Sequence, residues 1–224
     1  MVRIKPLMDD EIININDKEK DKYFKGAEGN TITMNYARGE EKFIFDKVIH
    51  PEEDQEVAFQ NLCGPFIENF MDGYDVTMAA SGQTGSGKTY TMIAPVGSLK
   101  KGHDLGGSIL SHYGLFPRTI IDLFNRINGR GDVMTLSICQ MGGFEYLPKD
   151  LIADQLVYFD MVDILEYIGL TEKVLESVSD IVKIMVMLEK KRYCEPTRMN
   201  QTSSRTNALI SFRWYRKNGD KVCV

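Results

Sequence analysis

The sequence predicts an α/β fold, in which helices cover both faces of a central mixed β-sheet. The first observation is that strand-like and helix-like patterns alternate along the chain. The second is a glycine-rich motif, G-x-x-x-x-G-K-T, at residues 82–89, placed between an apolar stretch and the start of a helix. The third is size, since 224 residues, 43% of them hydrophobic, suffice for one globular domain with a substantial core.

Before the motif the chain is rich in strand patterns, which we predict at residues 3–7, 31–36 and 42–48, with Phe43 and Phe45 on one face of the last. A helix is expected next. It runs from 55 to 70, because apolar residues recur every four positions, with a possible break at the proline and an end at the following glycine. These residues are Ala58, Leu62, Phe66 and Phe70 on the apolar face, Pro65 at the break and Gly73 at the end.

The glycine-rich motif indicates a phosphate-binding loop of the NTPase type. Successive backbone N–H groups converge on a phosphate only where no side chain blocks them, which explains the glycines. Lys88 is expected to reach the β- and γ-phosphates, and Thr89 to offer its hydroxyl to Mg²⁺. A strand over 76–80 and a helix over 90–92 complete the required order of elements. The alternative is a surface turn that matches the motif by chance. It does not explain why glycine, lysine and threonine occupy all four constrained positions of the motif. The loop residues are Gly82, Gln83, Thr84, Gly85, Ser86, Gly87, Lys88 and Thr89.

After the motif, residues 93–112 lack apolar periodicity and are predicted to form a long loop. We then predict a helix over 117–127, with proline in its first turn, and a strand over 133–139. Ser177 and Asp180 resemble a capping box that opens a further helix. The alternating pattern of 207–215, followed by a turn and residues 221–224, predicts a hairpin.

Composition restricts the function classes. A net charge of −5 argues against a nucleic-acid surface spread over the whole chain, and we find no signal peptide and no membrane-spanning pattern. The four cysteines are widely spaced, without a C-x-x-C pair, so we predict free cytosolic thiols rather than disulfides or zinc. These are Cys63, Cys139, Cys194 and Cys223.

Several stretches, read in order, resemble the motor domain of the kinesin family. Residues 73–92 (GYDVTMAASGQTGSGKTYTM) are similar to its extended phosphate-loop signature, and 114–118 (GLFPR) to its G-I-I-P-R element. Residues 169–172 (GLTE) are similar to another family landmark. The segment 197–207 resembles switch I, at the family's distance from the phosphate loop. Unrelated phosphate-loop NTPases, such as helicase or transporter subunits, share the loop but not this second element.

The resemblance implies ATP or ADP with Mg²⁺ as ligands, microtubules as the partner and the cytoskeleton of the cytoplasm as the location. Arg3, Pro6 and Tyr90 are then expected to wall the adenine. Switch I is expected to contact the γ-phosphate, the metal and the attacking water, closing when ATP is bound. Its residues are Asn200, Ser203, Ser204 and Arg205, with Ser204 beside Thr89 at the metal.

The sequence also departs from the family. Residues 140–146 (QMGGFEY) replace its E-I-Y-N-E strand end, Thr206 and Asn207 replace Ser and His, and no D-x-x-G-x-E (switch II) occurs in these residues. We therefore expect 1–224 to be part of a motor domain, marginal as an isolated folded unit and lacking the partner of Arg205. A non-motile, nucleotide-binding module on microtubules is the alternative to an ATP-driven motor, and neither dimerisation nor direction of movement is predicted.

Overall fold

The structure is a computed structural model that describes residues 1–6, 24–95, 98, 109–141, 148–159, 167–168, 170–191, 207–217 and 221–222. The described chain forms two compact units, Met1–Gly64 and Pro65–Val224. Strands alternate with helices along the chain, which confirms the predicted α/β class. The pairing of strands within each unit determines which of its residues lie close together.

In its described residues, the first unit combines a parallel strand pair, a three-stranded antiparallel sheet and one helix. In the parallel pair, Val2 lies opposite Val48 and Arg3 opposite Ile49. The helix begins after Asp54, whose side chain accepts a hydrogen bond from the Val57 N–H at 2.9 Å. The elements are β1 (Val2–Arg3), β2 (Phe24–Glu28), β3 (Thr31–Tyr36), β4 (Gly39–Ile44), β5 (Val48–Ile49) and α1 (Gln55–Leu62).

The predicted strand over 31–36 is confirmed, but the one over 42–48 is wrong in its extent. β4 ends at Ile44, and Phe45 instead donates its backbone N–H to the carbonyl of Asn30 at 2.9 Å. The chain then bends at Asp46 and pairs with β1 rather than with β3. The alternating pattern of residues 42–48 therefore does not place Phe43 and Phe45 on one face of a single strand.

The second unit is built on an antiparallel sheet whose two longest strands pair over nine residues, from Asn207 opposite Met141 to Tyr215 opposite Val133. The sheet order is β13-β12-β6-β7-β8, with β11 also paired to β6. β6 is therefore an inner strand, and it is buried on both faces from Met134 to Gln140. Its strands are β6 (Val133–Met141), β7 (Lys149–Asp150), β8 (Gln155–Leu156), β11 (Lys173–Val174), β12 (Asn207–Tyr215) and β13 (Lys221–Val222).

Four helices and a small hairpin complete the described part of this unit. Phe70 packs its ring 5.5 Å from that of Phe212 and 6.2 Å from that of Trp214, so α2 lies against the face of the sheet that carries these two residues. The hairpin pairs Tyr167 with Phe159. The elements are α2 (Gly64–Met71), α3 (Lys88–Met92), α4 (Leu115–Ile127), α5 (Val178–Lys191), β9 (Tyr158–Phe159) and β10 (Tyr167–Ile168).

The helix expected over 55–70 is two helices, α1 and α2, separated at Cys63. Pro65 lies in the first turn of α2, where its missing N–H costs nothing. Ala58 and Phe70 are buried as predicted. The break changes the helical phase between them, so Leu62 and Phe66 are only partly buried and the neighbouring Cys63 and Ile67 are buried instead.

Several predictions in the second unit are confirmed. In the capping box, Asp180 N–H donates to Ser177 Oγ at 3.3 Å and Ser177 N–H donates to Asp180 Oδ2 at 3.0 Å. The predicted face of α4 is buried, and the strand over 207–215 and its hairpin are present. That face consists of Ile120, Ile121, Phe124 and Ile127.

The predicted strand over 76–80 is wrong. These residues have no strand assignment, and no described strand is hydrogen-bonded to them. Val76 and Met78 are partly buried, whereas Ala79 and Ala80 are exposed. A strand is stabilised by its backbone hydrogen bonds to a neighbouring strand. An apolar stretch without such a neighbour therefore does not form a strand, even where its residues favour one.

Candidate nucleotide-binding site

The phosphate-loop motif forms a tight turn between the irregular stretch 74–83 and α3. Ser86 N–H donates to the carbonyl of Gln83 at 3.2 Å, which closes the turn. Gly85 and Gly87 have φ values of 82° and 89°, in the left-handed region that side chains disfavour. The spacing of glycines in the motif therefore corresponds to positions where the backbone itself requires glycine.

Lys88 folds its side chain back over this turn. Its ammonium Nζ donates to the carbonyl oxygens of Gly82 at 2.7 Å and of Gln83 at 2.8 Å. Both contacts lie in the part of the loop that is exposed to solvent. A lysine ammonium makes stronger hydrogen bonds with an anionic oxygen than with neutral carbonyls, so a phosphate entering the turn has a cation already at its edge.

The turn has the space that a phosphate needs. A Cβ atom added at Gly85 or Gly87 meets nothing within 4 Å, so a ligand can approach the backbone there. Gly82 is different, because an added Cβ would lie 2.5 Å from Ser86 Oγ. The loop therefore fits a phosphate at Gly85 and Gly87, and Gly82 is required for the turn to close.

The helix α3 starts directly after the turn. Its first backbone hydrogen bond runs from Thr91 N–H to the Gly87 carbonyl at 2.8 Å, so the amides of Lys88 and Thr89 precede the helical ladder. Thr89 is exposed, and the Tyr90 side chain is 43% exposed. A threonine hydroxyl is a hard oxygen ligand of the kind that Mg²⁺ uses together with substrate phosphates and water, so the residues present fit that ion.

A contact that the sequence did not predict supports α3 from its far end. Gly114 N–H donates to the Ile93 carbonyl at 2.6 Å, and an added Cβ at Gly114 would lie 2.6 Å from the Thr91 carbonyl oxygen. Gly114 also immediately precedes α4. The phosphate-loop helix therefore ends against the start of a helix with a buried core face. In the sequence, Gly114 was noted only as part of the GLFPR stretch. The resemblance of this stretch to a family element did not predict the contact with Ile93.

Arg118, in the same stretch, is buried at 2% exposure. Its guanidinium donates to the carbonyls of Tyr113 at 2.8 Å, Ser111 at 3.1 Å and Leu110 at 3.2 Å. The arginine thus satisfies carbonyls of residues 110–113, directly before α4. The sequence drew attention to Arg118 only as part of the GLFPR stretch, because a charged residue is rarely expected to be buried.

A polar cluster lies on the sheet, outside the phosphate loop. Glu172 accepts hydrogen bonds from Thr135 Oγ1 at 2.8 Å and Tyr215 Oη at 2.9 Å, and forms an ion pair with Arg213. Burial by itself raises the pKa of Glu172, but the hydrogen bonds and the charge of Arg213 outweigh it and hold the pKa below its ordinary value. The cluster ties Glu172 to Thr135 of β6 and to Arg213 and Tyr215 of β12.

The remaining predicted site residues are distributed as follows. Asn200, Ser203, Ser204 and Arg205 lie outside the described residues, which resume at Asn207. Arg3 belongs to the unit Met1–Gly64, where it donates to Gln55 Oε1 at 2.6 Å, and Pro6 is exposed. The structure therefore brings together residues 82–90 and leaves the other assignments as predictions.

Within the described part of the chain, no group of three or more His, Cys, Asp or Glu side chains is placed to hold a metal ion. Cys63 and Cys139 are buried and form no disulfide among the described residues, and burial, followed by the charge of Asp150, raises the pKa of Cys139 to about 11. None of the helices described has both the length and the apolar character needed to span a membrane.

Comparison with protein families gives a match over residues 3–222 to the kinesin motor domain. Mouse chromosome-associated kinesin KIF4 is 32% identical over 191 residues, covering 81% of this chain and 15% of the mouse protein. Kinesin-like protein KIP1 of Saccharomyces cerevisiae is 26% identical over 209 residues, covering 83% of this chain and 19% of the yeast protein. The chain thus spans less than a fifth of the length of either relative.

Solved structures show the same fold. The structure of a fast kinesin superposes with a TM-score of 0.75 at 23% identity, covering 99% of this chain and 61% of that one. A KIF14 dimer with AMP-PNP, in complex with a microtubule, gives a TM-score of 0.76 at 23% identity and covers 95% and 59%. The family match, the relatives and the fold all agree with the resemblance found in the sequence.

Proposed function

The chain belongs to the kinesin motor domain family, and from that premise we propose that it binds ATP with Mg²⁺ and hydrolyses ATP as part of a microtubule motor. The observation that carries this proposal is the Lys88 ammonium, held 2.7 Å and 2.8 Å from two carbonyls of an open glycine turn. A cation and a Cβ-free backbone at one turn are the two features needed to hold a triphosphate.

In this proposal the loop acts by binding and charge neutralisation. The amides that precede the α3 ladder, those of Lys88 and Thr89, donate to phosphate oxygens. Lys88 exchanges its two carbonyl partners for β- and γ-phosphate oxygens. Because phosphoryl transfer spreads negative charge over the transferred group, a fixed ammonium stabilises its transition state more than its ground state.

We assign the metal position to the Thr89 hydroxyl, with Ser204 as its second protein contact. Mg²⁺ supplies charge neutralisation between the β- and γ-phosphates when it is bound. Thr89 is exposed and follows Lys88 directly at the start of α3, which supports this assignment. This assignment needs no dedicated carboxylate cage, which agrees with how proteins usually hold this ion beside a nucleotide.

The remaining roles come from the family resemblance. We propose that Asn200, Ser203 and Ser204 contact the γ-phosphate and the attacking water, with Arg205 beside them. We propose that Arg3, Pro6 and Tyr90 wall the adenine. The 43% exposure of the Tyr90 side chain supports its part, because a phenol ring at the surface can stack against a base.

We propose that the protein binds microtubules and is located on the cytoskeleton in the cytoplasm. It is supported by the KIF14 neighbour, which was solved on a microtubule, and by the family match. We also propose that 1–224 forms part of one motor domain, since the family match covers residues from both compact units.

A titration with fluorescent ADP, with and without Mg²⁺, tests the nucleotide proposal. We expect Lys88→Ala to weaken binding by at least roughly tenfold, because a charge-assisted contact to phosphate is lost. Lys42→Ala is the control, as it removes an exposed lysine from β4. Equal affinities of the two variants, with both folded by thermal unfolding, would contradict the site.

Phosphate release in the presence and absence of microtubules then tests the motor. Stimulation by microtubules, lost in Lys88→Ala, supports an ATP-driven motor. If the chain binds nucleotide and co-sediments with microtubules but phosphate release is not stimulated, the result would support the non-motile module instead of the motor. The two assays distinguish a failure of the nucleotide site from a failure of the microtubule proposal, because only the second assay depends on tubulin.

A further inference from the structure

Arg3 is restrained through both its backbone and its side chain. Its backbone lies opposite Ile49 in the parallel pair of β1 and β5, and the next N–H, that of Ile4, donates to the Ile49 carbonyl at 2.9 Å. Its guanidinium donates from Nη1 to Gln55 Oε1 at 2.6 Å, with a longer contact of 3.4 Å from Nη2 to the Glu53 carbonyl. All of these residues belong to the first unit, so the contacts form within one compact body.

Gln55 is a buried polar side chain at the start of α1. It is 1% exposed and directly follows Asp54, the residue that caps the helix. The turn before the helix is closed by the Glu53 N–H, which donates to the His50 carbonyl at 3.1 Å. A buried side chain in the first turn of a capped helix has little freedom to move, so the amide oxygen of Gln55 is a fixed acceptor for Arg3.

The contacts with Gln55 and Glu53 orient the guanidinium of Arg3 without covering it completely. The two donors, Nη1 and Nη2, lie at the outer end of a planar group. Arg3 remains partly exposed, whereas Gln55 is buried. Because hydrogen bonds at the edge of a guanidinium determine its plane, its flat face can still stack on an aromatic ring.

We propose that Gln55 is a positioning residue that orients Arg3 for stacking on the adenine ring. This role rests on the proposed function, in which Arg3 walls the adenine. Gln55 is too deeply buried to contact a nucleotide and acts through the guanidinium alone. Since Arg3 is already ordered in the free protein, the nucleotide gains the stacking contact without the entropic cost of ordering a long side chain. The contribution of Gln55 is therefore to the binding of the base and not to that of the phosphates.

Displacement of fluorescent ADP from the full chain by unlabelled ADP and by inorganic tripolyphosphate, both with Mg²⁺, separates the base from the phosphates. Gln55→Met keeps the volume of the side chain but removes the acceptor. We expect it to weaken ADP binding by roughly fivefold and to change tripolyphosphate binding by less than roughly twofold. Gln60→Met is the matched control, because it makes the same change at an exposed position of the same helix, and it should bind both ligands as the wild type does.

A double-mutant cycle tests whether Gln55 acts through Arg3. Arg3→Ala removes the stacking group, so adding Gln55→Met to that variant should cause no further loss of ADP affinity. Gln55→Glu keeps an oxygen acceptor at the same position and should bind ADP more tightly than Gln55→Met. Independent losses in the cycle, or a Glu variant no better than the Met variant, would overturn the positioning role.

Tripolyphosphate affinity, measured on the same samples, shows whether the phosphate loop is intact in each variant. Equal weakening of ADP and tripolyphosphate binding by Gln55→Met would reject the inference, since it would indicate a general effect on the fold. Unchanged ADP affinity would reject it as well. A wild type that binds neither ligand would contradict the proposed nucleotide site itself, whereas tripolyphosphate bound as tightly as ADP would contradict only the contact with the base.

Discussion

The backbone N–H of Gly114 donates to the carbonyl of Ile93 at 2.6 Å, and this bond joins the end of α3 to the start of α4. Ile93 and Ala94 are buried beside it. α3 has only five residues, too few to hold its position by packing alone. The orientation of the phosphate loop therefore depends on a contact made at the other end of its helix.

We predict that Gly114→Ala disrupts this contact. The added Cβ would lie 2.6–2.7 Å from backbone atoms of Thr91, Met92 and Ile93, which no rotamer change relieves. We expect a loss of roughly 1–3 kcal/mol in the free energy of unfolding and weaker binding of fluorescent ADP. Chemical denaturation and a nucleotide titration measure the two effects. Gly64→Ala is the matched control, because its Cβ meets nothing within 4 Å; similar losses in both variants would show that the contact is unimportant.

A second prediction concerns the closure of the turn. Gly82→Ala places a Cβ 2.5 Å from Ser86 Oγ, at a φ of 155°. We expect it to reduce the affinity for fluorescent ADP by at least roughly tenfold, because the amides no longer converge. The double variant with Ser86→Ala removes the clashing oxygen and should recover part of the affinity. If the affinity of the double variant does not recover, the loss comes from backbone strain at residue 82 and not from the contact with Ser86.

The buried Arg118 gives a prediction about stability. Arg118→Met keeps the apolar stem but removes the guanidinium donor from the carbonyls of Ser111 and Tyr113, whereas the Leu110 carbonyl keeps the Tyr113 N–H. We expect a loss of roughly 2–4 kcal/mol in the free energy of unfolding, measured by urea denaturation. Arg118→Lys retains one charge and fewer donors, so its loss should be smaller. A Met variant as stable as the wild type would show that water replaces the guanidinium.

The depressed pKa of Glu172 predicts a pH-dependent contribution to stability. A carboxylate whose pKa is lower in the folded state than its ordinary value of 4.5 stabilises the fold above that value. The contribution is lost as the pH falls from 4.5 through the lower, folded-state pKa. Wild type should therefore exceed Glu172→Gln in melting temperature at neutral pH, and this difference should shrink in acid.

Glu41→Gln is the control for that experiment, since Glu41 is exposed on β4. Its difference from wild type should stay small across the same pH range. A Glu172→Gln difference that is constant with pH would show that the cluster acts through shape and hydrogen bonding alone.

The sequence predicted most of the second unit because its patterns are long and its caps are specific. The face of α4, the Ser177–Asp180 box and the strand over 207–215 each depend on residues close in sequence. The stretch 76–80 has the same apolar character but depends on a neighbouring strand, which local pattern cannot supply. The phase of α2 was missed for a related reason, since one residue at Cys63 reset it.

The candidate site divides in the same way. The phosphate loop was predictable because glycine, lysine and threonine are fixed by backbone geometry and charge at each position. Its support by Gly114 and Arg118 was not, because both act through backbone atoms far from the motif in sequence.

Under the proposed function, the two hydrogen bonds from Lys88 to its own loop make nucleotide affinity a net quantity. A phosphate competes with these carbonyls for the three N–H donors of the ammonium, so the same side chain stabilises the empty and the filled loop. Removing it lowers the stability of both states at once. A calorimetric titration therefore underestimates what this lysine contributes, and the melting temperature of the nucleotide-free variant supplies the missing part.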